Sequence, residues 1–219
     1  MDSQGPVPPR VVLPWQGLRL PRVFFSFKDL DILCLSCPWD QEELKRRVVA
    51  EDSSFYLIHP KKPGATYKVL WYRIYGSGSS TSGRCKVDLL LPGIMNIPNV
   101  PTSIIEYPEQ GMPCAPFAVV FLLKLQAWAD HLDSPEPRFW SKSFTDTWDL
   151  RRMLPIARAK GFNIGRLDAR LPSSFVASAV LRVQRFLDKS PDTLIEWRAL
   201  GFEFDVRAHT VRSIDLFDF

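Results

Sequence analysis

The chain has 219 residues, of which 46% are hydrophobic and 24% are charged, and its formal net charge is +4. This length suits one sizeable domain, or one domain with a small helical annex, and the composition is ordinary for a globular protein. The mild positive charge permits a polyanionic partner without arguing for one. No run of Lys and Arg of the nucleic-acid-binding type occurs.

Membrane and export signals are missing from the sequence as it reads. No apolar run reaches the roughly 20 residues that a membrane-spanning helix needs, so we expect no membrane partner. The Pro-rich N-terminus lacks the layout of a signal peptide, and four irregularly spaced cysteines indicate reduced thiols. We therefore expect a cytoplasmic protein. Cys34 and Cys37 form one Cys-x-x-Cys pair. A structural zinc site normally requires a second such pair, which the sequence lacks, so we do not expect one.

Strands are predicted for most of the first half of the chain. A Pro-rich arm over residues 1–22, with a short edge strand at 11–13, precedes a strong strand over 23–35. Asp40 and Glu43 form a capping-box-like start for a helix over 41–51. Further strands are predicted at 55–58, 67–75 and 84–91, the last two as an antiparallel hairpin around a flexible Gly/Ser loop at 76–83. Residues 94–115 are predicted to be irregular.

Helices are predicted for the second half. A buried helix covers 117–131, and a second covers 144–160, bent or interrupted by Pro155 and ended near Gly161. A third helix, capped by Ser173 or Ser174, runs to 189, and a fourth covers 192–200. Segregated strands and helices predict an α+β fold, a small mixed β-sheet followed by a helical region. We divide it into the arm 1–22, a sheet core 23–116 and a helical region 117–219 packed on that core.

Two aspartates, Asp29 and Asp31, lie two residues apart in an otherwise apolar stretch, Phe27-Lys28-Asp29-Leu30-Asp31-Ile32-Leu33. Successive strand residues alternate between faces, so both carboxylates point the same way. Neighbouring carboxylates repel each other, and a divalent cation between them makes the pair tolerable. Asp88 lies in a similar stretch, and we interpret the three aspartates as a metal-binding triad. Strand-edge aspartates that simply face water are the alternative.

Three aspartates on neighbouring strands would suit metal-assisted phosphoryl transfer, in which carboxylates hold one or two Mg²⁺ ions. Asp29 and Asp31 would bind the metal that carries a triphosphate. Asp88 would help to hold a second metal beside the attacking hydroxyl. This chemistry requires no Ser or Cys nucleophile.

Other charged residues lie in the apolar helical half. Lys124 either extends to the surface or faces a site and contacts phosphate. The predicted start of the second helix contains three charged residues, Lys142, Asp146 and Asp149. A plain structural role as the N-cap of that helix is the alternative for Asp146. The three histidines are widely scattered and remain unassigned.

Four of these motifs, taken in order, resemble the polymerase-beta-like nucleotidyltransferase fold. The similarity is greatest to the branch of abortive-infection nucleotidyltransferase toxins and their fungal relatives, and it spans about residues 22–152. The matching stretches are Ser26-Phe27-Lys28-Asp29-Leu30-Asp31-Ile32, Val87-Asp88-Leu89-Leu90, Phe121-Leu122-Leu123-Lys124-Leu125-Gln126-Ala127-Trp128, and Lys142 followed by Asp146-x-x-Asp149-Leu150.

The resemblance implies transfer of a nucleoside monophosphate from an NTP to an acceptor, with Mg²⁺ bound by the acidic triad. It implies that Lys124 contacts the triphosphate and that Lys142, Asp146 and Asp149 support the nucleotide site. RNA, protein and small-molecule acceptors all remain open. The sequence departs from the family at one point, because no Gly-Gly or Gly-Ser pair precedes Asp29 and Gly17 stands as a single glycine. In the family, a turn with such a glycine pair precedes the Asp-x-Asp strand and holds the nucleotide phosphates through backbone N–H groups.

The departure leaves two further hypotheses beside an active nucleotidyltransferase. One is a catalytically inactive relative that kept the fold as a nucleotide-binding or interaction module. The other is a metal-dependent nuclease that uses Asp88 and a lysine, which the paired Asp29 and Asp31 disfavour.

Overall fold

A computed structural model of the chain describes residues 10–12, 29–35, 37–74, 83–107, 113–167 and 170–204. Its strands all lie before residue 91, and four of its five α-helices follow residue 116. The predicted α+β class, with a small mixed sheet followed by a helical region, is therefore confirmed. The chain divides into two compact units, residues 1–116 and 117–219.

The first unit contains a five-stranded sheet in the order β1-β2-β5-β4-β3. The strands are β1 (Arg10–Val12), β2 (Asp29–Leu35), β3 (Phe55–Ile58), β4 (Val69–Ile74) and β5 (Gly83–Leu90). Only the β2–β5 pair is parallel among these strands, and the other neighbours are antiparallel. The predicted hairpin of β4 and β5 is confirmed, with Gly83, predicted in the loop, as the first residue of β5. Residues 76–82 of the predicted Gly/Ser loop and residues 23–28 lie outside the described residues.

Helix α1 (Gln41–Glu51) has the predicted bounds and start. The side chain of Asp40 accepts a hydrogen bond from the backbone N–H of Glu43, at 2.8 Å, which satisfies one free donor of the first turn. Leu44 of this helix packs in a core with Leu70, Val87 and Leu89 of the sheet. The apolar face of the sheet is thus covered from within the first unit.

The second unit is helical. Its helices are α2 (Phe117–Asp133), α3 (Pro137–Ala159), α4 (Ser173–Lys189) and α5 (Leu194–Ala199). Buried aromatic rings form its core: the Trp197 ring stacks on Phe121 with centroids 5.3 Å apart, and Phe186 meets both Trp197 and Trp128 edge to face. Aromatic pairs of this kind stabilise a core through their stacked and edge-to-face geometry as well as through the large apolar area that they bury.

Three predictions about helix ends and breaks need correction. Helix α3 begins at Pro137 and not at 144, because proline suits the first helical position, and Asp146 consequently lies in the helix interior and does not cap it. The helix is also not interrupted at Pro155, which lies inside it, and a bend there stays a prediction. Helix α4 starts at Ser173, but Pro172 precedes it and no side chain caps it. The predicted stop near Gly161 is confirmed by its positive φ of 66°.

The four cysteines are all free thiols. Burial raises the pKa of Cys34 to about 12, and the neighbouring Cys37 adds to this shift. Among the helices of the described residues, none combines the length and apolarity that crossing a membrane requires.

Candidate functional site

An acidic face of the sheet lies where β2 and β5 run side by side in the first unit. The register of this parallel pair places Asp31 opposite Asp88, and Asp29 opposite Lys86. Residues paired across a ladder share a face of the sheet, as do residues two apart on one strand. All four side chains therefore belong to one face, which we call the acidic sheet face.

The alternating strand residues explain why the carboxylates lie on that face. Leu30 and Ile32 pack against the core, and Val87 and Leu89 are only 1% and 3% exposed. Asp29 and Asp31 are exposed, and Asp88 is half-buried. Because a one-residue slip would bury the aspartates and expose the leucines, the hydrophobic pattern fixes the register and with it the acidic sheet face.

Lys86 is the cation next to Asp88 on this face. Its ammonium donates a hydrogen bond to Oδ2 of Asp88 in an ion pair. Partial burial lowers the pKa of Lys86, but the bond to Asp88 and the charges of Asp88, Asp29 and Asp31 outweigh that effect and raise it above the ordinary value. Lys86 is therefore protonated at neutral pH, within the field of all three aspartates.

Cys85, next to Lys86, is a poor nucleophile. Burial, and then the negative charges of Asp29 and Asp31, raise the pKa of its thiol. A raised thiol pKa keeps the thiolate fraction low at neutral pH. Because Cys85 is one residue from Lys86 on the strand, its side chain belongs to the opposite face, and the acidic sheet face offers carboxylate oxygens and an ammonium group for chemistry.

Carboxylate oxygens are the ligands that Mg²⁺ prefers, so the donor set of the acidic sheet face suits that ion. In the described part of the chain, no group of three Asp, Glu, His or Cys side chains is arranged to hold a metal ion. Since Lys86 already binds Asp88, a metal shared by the three aspartates would compete with this lysine for Asp88.

A second cluster of charges joins α2 and α3 in the helical unit. Lys124 Nζ lies 3.2 Å from Oδ1 of Asp146 and 3.0 Å from Oδ2 of Asp149. Burial lowers the pKa of Lys124, but the two carboxylates raise it overall. The lysine predicted either to reach the surface or to contact phosphate thus bonds to two carboxylates of the next helix.

His131 completes this cluster. Its Nδ1 lies 2.6 Å from Oδ2 of Asp146, whose side chain is only 8% exposed, and its ring stacks on Phe139 with centroids 5.3 Å apart. Lys142 lies over the Phe139 ring, with its Nζ 5.2 Å from the ring centre. A buried carboxylate shared by an ammonium and an imidazole fixes α2 against α3.

Sequence reasoning gave no role to two members of these clusters. Lys86 is two residues from Asp88 on the same strand, so period-two alternation alone would have placed its ammonium beside that carboxylate. His131 follows Lys124 by seven residues, two helical turns, which puts both side chains on one face of α2.

The sequence matches no protein-family model, and no curated protein matches it either.

Proposed function

We propose that the chain is an Mg²⁺-dependent nucleotidyltransferase-like protein that transfers a nucleoside monophosphate from an NTP to an acceptor hydroxyl. Asp29, Asp31 and Asp88 would hold the metal. The observation that supports this proposal is the parallel register of β2 and β5, with Asp31 opposite Asp88 and all three aspartates on one face. The acceptor, whether RNA, protein or small molecule, remains open.

The carboxylates of the acidic sheet face support a divalent cation there. Asp29, Asp31 and Asp88 lie on two neighbouring strands, and the charges of all three act on Lys86. Bound Mg²⁺ would polarise phosphate oxygens and offset the charge that develops during transfer. The chain's own contribution is to hold three oxygen donors on two rigid strands beside a protonated lysine.

The residues of the helical unit have a supporting role in this proposal. The resemblance makes Lys124, Lys142 and Asp146 candidates for nucleotide binding. Lys124 donates hydrogen bonds to Asp146 and Asp149. Because carboxylates repel phosphate, we assign these two residues the role of positioning the Lys124 ammonium, which would contact the phosphate.

A catalytically inactive binding or interaction module is the second candidate, and the Lys86–Asp88 ion pair favours it. An internal ammonium is a permanent counter-ion for a carboxylate that would otherwise need a metal. In this candidate Lys86 neutralises Asp88 in place of a metal, and NTP binds without chemistry or does not bind.

Label transfer from each of the four α-labelled NTPs tests the first candidate, with total RNA, the protein itself and small hydroxyl compounds as acceptors and Mg²⁺ or Mn²⁺ as the metal. We expect incorporation by the wild type and its loss in Asp29→Asn, Asp31→Asn and Asp88→Asn, which keep side-chain size but remove the charge. Glu51→Gln, at the exposed end of α1, is the control and should behave as wild type.

A thermal-shift panel of the four NTPs with and without Mg²⁺ separates the two candidates. A ligand that binds only the native state raises the melting temperature. A rise that needs both NTP and Mg²⁺, and that Asp88→Asn abolishes, supports the metal-dependent enzyme. A rise with NTP alone that survives Asp88→Asn supports the inactive module.

A further inference from the structure

The face of the sheet that carries the acidic residues continues across β4 and β3 with aromatic and basic side chains. Lys86 lies opposite Trp71 of β4, and Trp71 lies opposite Tyr56 of β3. Two residues further along β4, Arg73 lies opposite Arg84 of β5. Residues paired across a ladder, and residues two apart on one strand, share a face of the sheet. These five side chains therefore belong to one surface.

Each arginine of this surface lies over an aromatic ring of the neighbouring strand. The guanidinium carbon of Arg84 is 4.9 Å from the centre of the Trp71 ring, and that of Arg73 is 4.5 Å from the centre of the Tyr56 ring. Both arginines are exposed, and both rings are half-buried. We call Tyr56, Trp71, Arg73 and Arg84 the arginine–aromatic surface.

The two guanidinium groups are like charges placed directly opposite each other on an exposed face. A cross-strand pair of this kind destabilises a sheet. In the described part of the chain, ion pairs with carboxylates are formed by other arginines, namely Arg46, Arg47, Arg138, Arg151 and Arg185. Asp88 lies four residues along β5 from Arg84, or about 13 Å. The charge of the arginine–aromatic surface is therefore complementary to an anion.

The planar groups narrow the kind of anion. Nucleobases stack on aromatic rings and on the planes of guanidinium groups, and a sheet with exposed aromatic residues binds successive bases in this way. Tyr56 and Trp71 lie on neighbouring strands about 4.8 Å apart, so the two arginine–ring stacks stand side by side. Arg73 also donates a hydrogen bond to the backbone oxygen of Ser53, at 2.7 Å, so its plane has less freedom to lose on binding.

We propose that the arginine–aromatic surface binds a single-stranded nucleic acid. Two successive bases stack on the Arg73–Tyr56 and Arg84–Trp71 pairs, and the guanidinium N–H groups at the edges of the stacks donate to the flanking phosphates. These contacts recognise ring planes and charge, which all nucleotides share. We therefore expect little sequence preference and similar affinity for RNA and DNA. The proposal concerns binding alone and goes beyond the transfer reaction proposed above.

Fluorescence anisotropy of labelled oligouridylate and oligothymidylate strands of about 12 nucleotides tests the proposal. The buffer contains about 50 mM NaCl and EDTA but no NTP, so the result does not depend on the proposed transfer reaction. We expect a Kd of about 1–100 μM, the range of binding dominated by phosphate contacts.

Arg84→Ala and Arg73→Ala should each raise the Kd at least about fivefold, because each removes the stacking of one base. Arg46→Ala is the matched control, since Arg46 is exposed on α1, whose Leu44 packs against the opposite face of the sheet. It should leave the Kd nearly unchanged. Because Arg73 and Arg84 are exposed, we expect all three variants to melt within a few degrees of wild type.

Arg84→Lys separates stacking from charge. Lysine keeps the positive charge but has no planar group on which a base can stack. We expect this variant to raise the Kd several-fold while the slope of log Kd against log [NaCl] stays that of wild type. Arg84→Ala should also flatten that slope by about 0.7, the contribution of one phosphate contact to a single strand.

The proposal is overturned by an absence of binding up to about 200 μM protein. Equal weakening by Arg46→Ala and Arg84→Ala overturns it as well. Wild-type affinity in Arg84→Lys, or equally strong competition by an inorganic polyphosphate, would show that charge alone accounts for binding, and either result refutes the stacking.

Discussion

Replacing Lys86 by Met should make the acidic sheet face dependent on a divalent cation. Neighbouring strands are about 4.8 Å apart, so Lys86 lies in contact with Asp88 and within one to two such spacings of Asp29 and Asp31. At water-like dielectric, attraction at 4 Å is about 1 kcal/mol and falls with distance, so the three attractions sum to about 2 kcal/mol.

Solvent screening reduces that sum, because these side chains are about one-third exposed or more. We therefore expect the substitution to cost about 1 kcal/mol, or a fall in Tm of about 2–4 °C for a protein of this size. Lys62→Met is the control, since Lys62 is exposed in a turn of the same unit and lies outside the sheet. It should leave the Tm within about 1 °C of wild type.

A divalent cation should restore the stability of Lys86→Met. Mg²⁺ or Mn²⁺ at ten times its Kd adds about 1.4 kcal/mol, a rise of roughly 3–6 °C. The wild type should respond less, because Lys86 competes for Asp88. The assay is differential scanning fluorimetry with MgCl₂, MnCl₂ and NaCl at equal ionic strength. A variant as stable as wild type, or one that NaCl restores equally well, would refute the reasoning.

Three further predictions concern the helical unit and the glycines. Asp146→Asn should cost about 2–3 kcal/mol in urea unfolding, because its buried carboxylate is shared by Lys124 and His131, whereas Asp149→Asn, at 38% side-chain exposure, should cost about 1 kcal/mol or less. The pKa of Lys124 is raised by those carboxylates, so its stabilisation is complete below about pH 10 and is lost as the pH rises through the folded-state value. Urea midpoints from pH 8 to 11 should therefore fall less steeply in Lys124→Met than in wild type, and parallel curves would contradict this. Gly201→Ala should cost about 2 kcal/mol or more, since φ is +85° and the new Cβ would lie 2.8 Å from Asn163, while Gly64→Ala, at φ +73° with open space around it, should cost about 1 kcal/mol.

The sequence was sufficient for elements whose signal is local. The bounds of α1 and β3 match the predicted ones, because the cap of α1 and the aromatic, β-branched run of β3 are local features. The parallel pairing of β2 with β5 is different, since it joins residues more than fifty positions apart. Alternation predicts only that Asp29 and Asp31 share a face, and the partner opposite them depends on the whole sheet.

The start of α3 shows where local signals compete. The sequence-based prediction began this helix at Phe144, but Pro137 at the first helical position supports two earlier turns. With those turns in place, Asp146 moves from a cap position into the interior of the helix, where it meets Lys124 and His131. A seven-residue error in one boundary therefore changes the chemistry assigned to a carboxylate.

The two charge clusters differ in a way that bears on metal binding. In the α2–α3 cluster, Asp146 and Asp149 face Lys124 and His131, so the formal charge is −1, or zero when the imidazole is protonated. On the acidic sheet face, three carboxylates lie on two neighbouring strands, and Lys86 is ion-paired with one of them, Asp88. Carboxylate oxygens grouped in this way are the ligands that a divalent cation such as Mg²⁺ prefers. The acidic sheet face is therefore where the proposed metal would bind, whereas the ion pairs of the α2–α3 cluster join two helices.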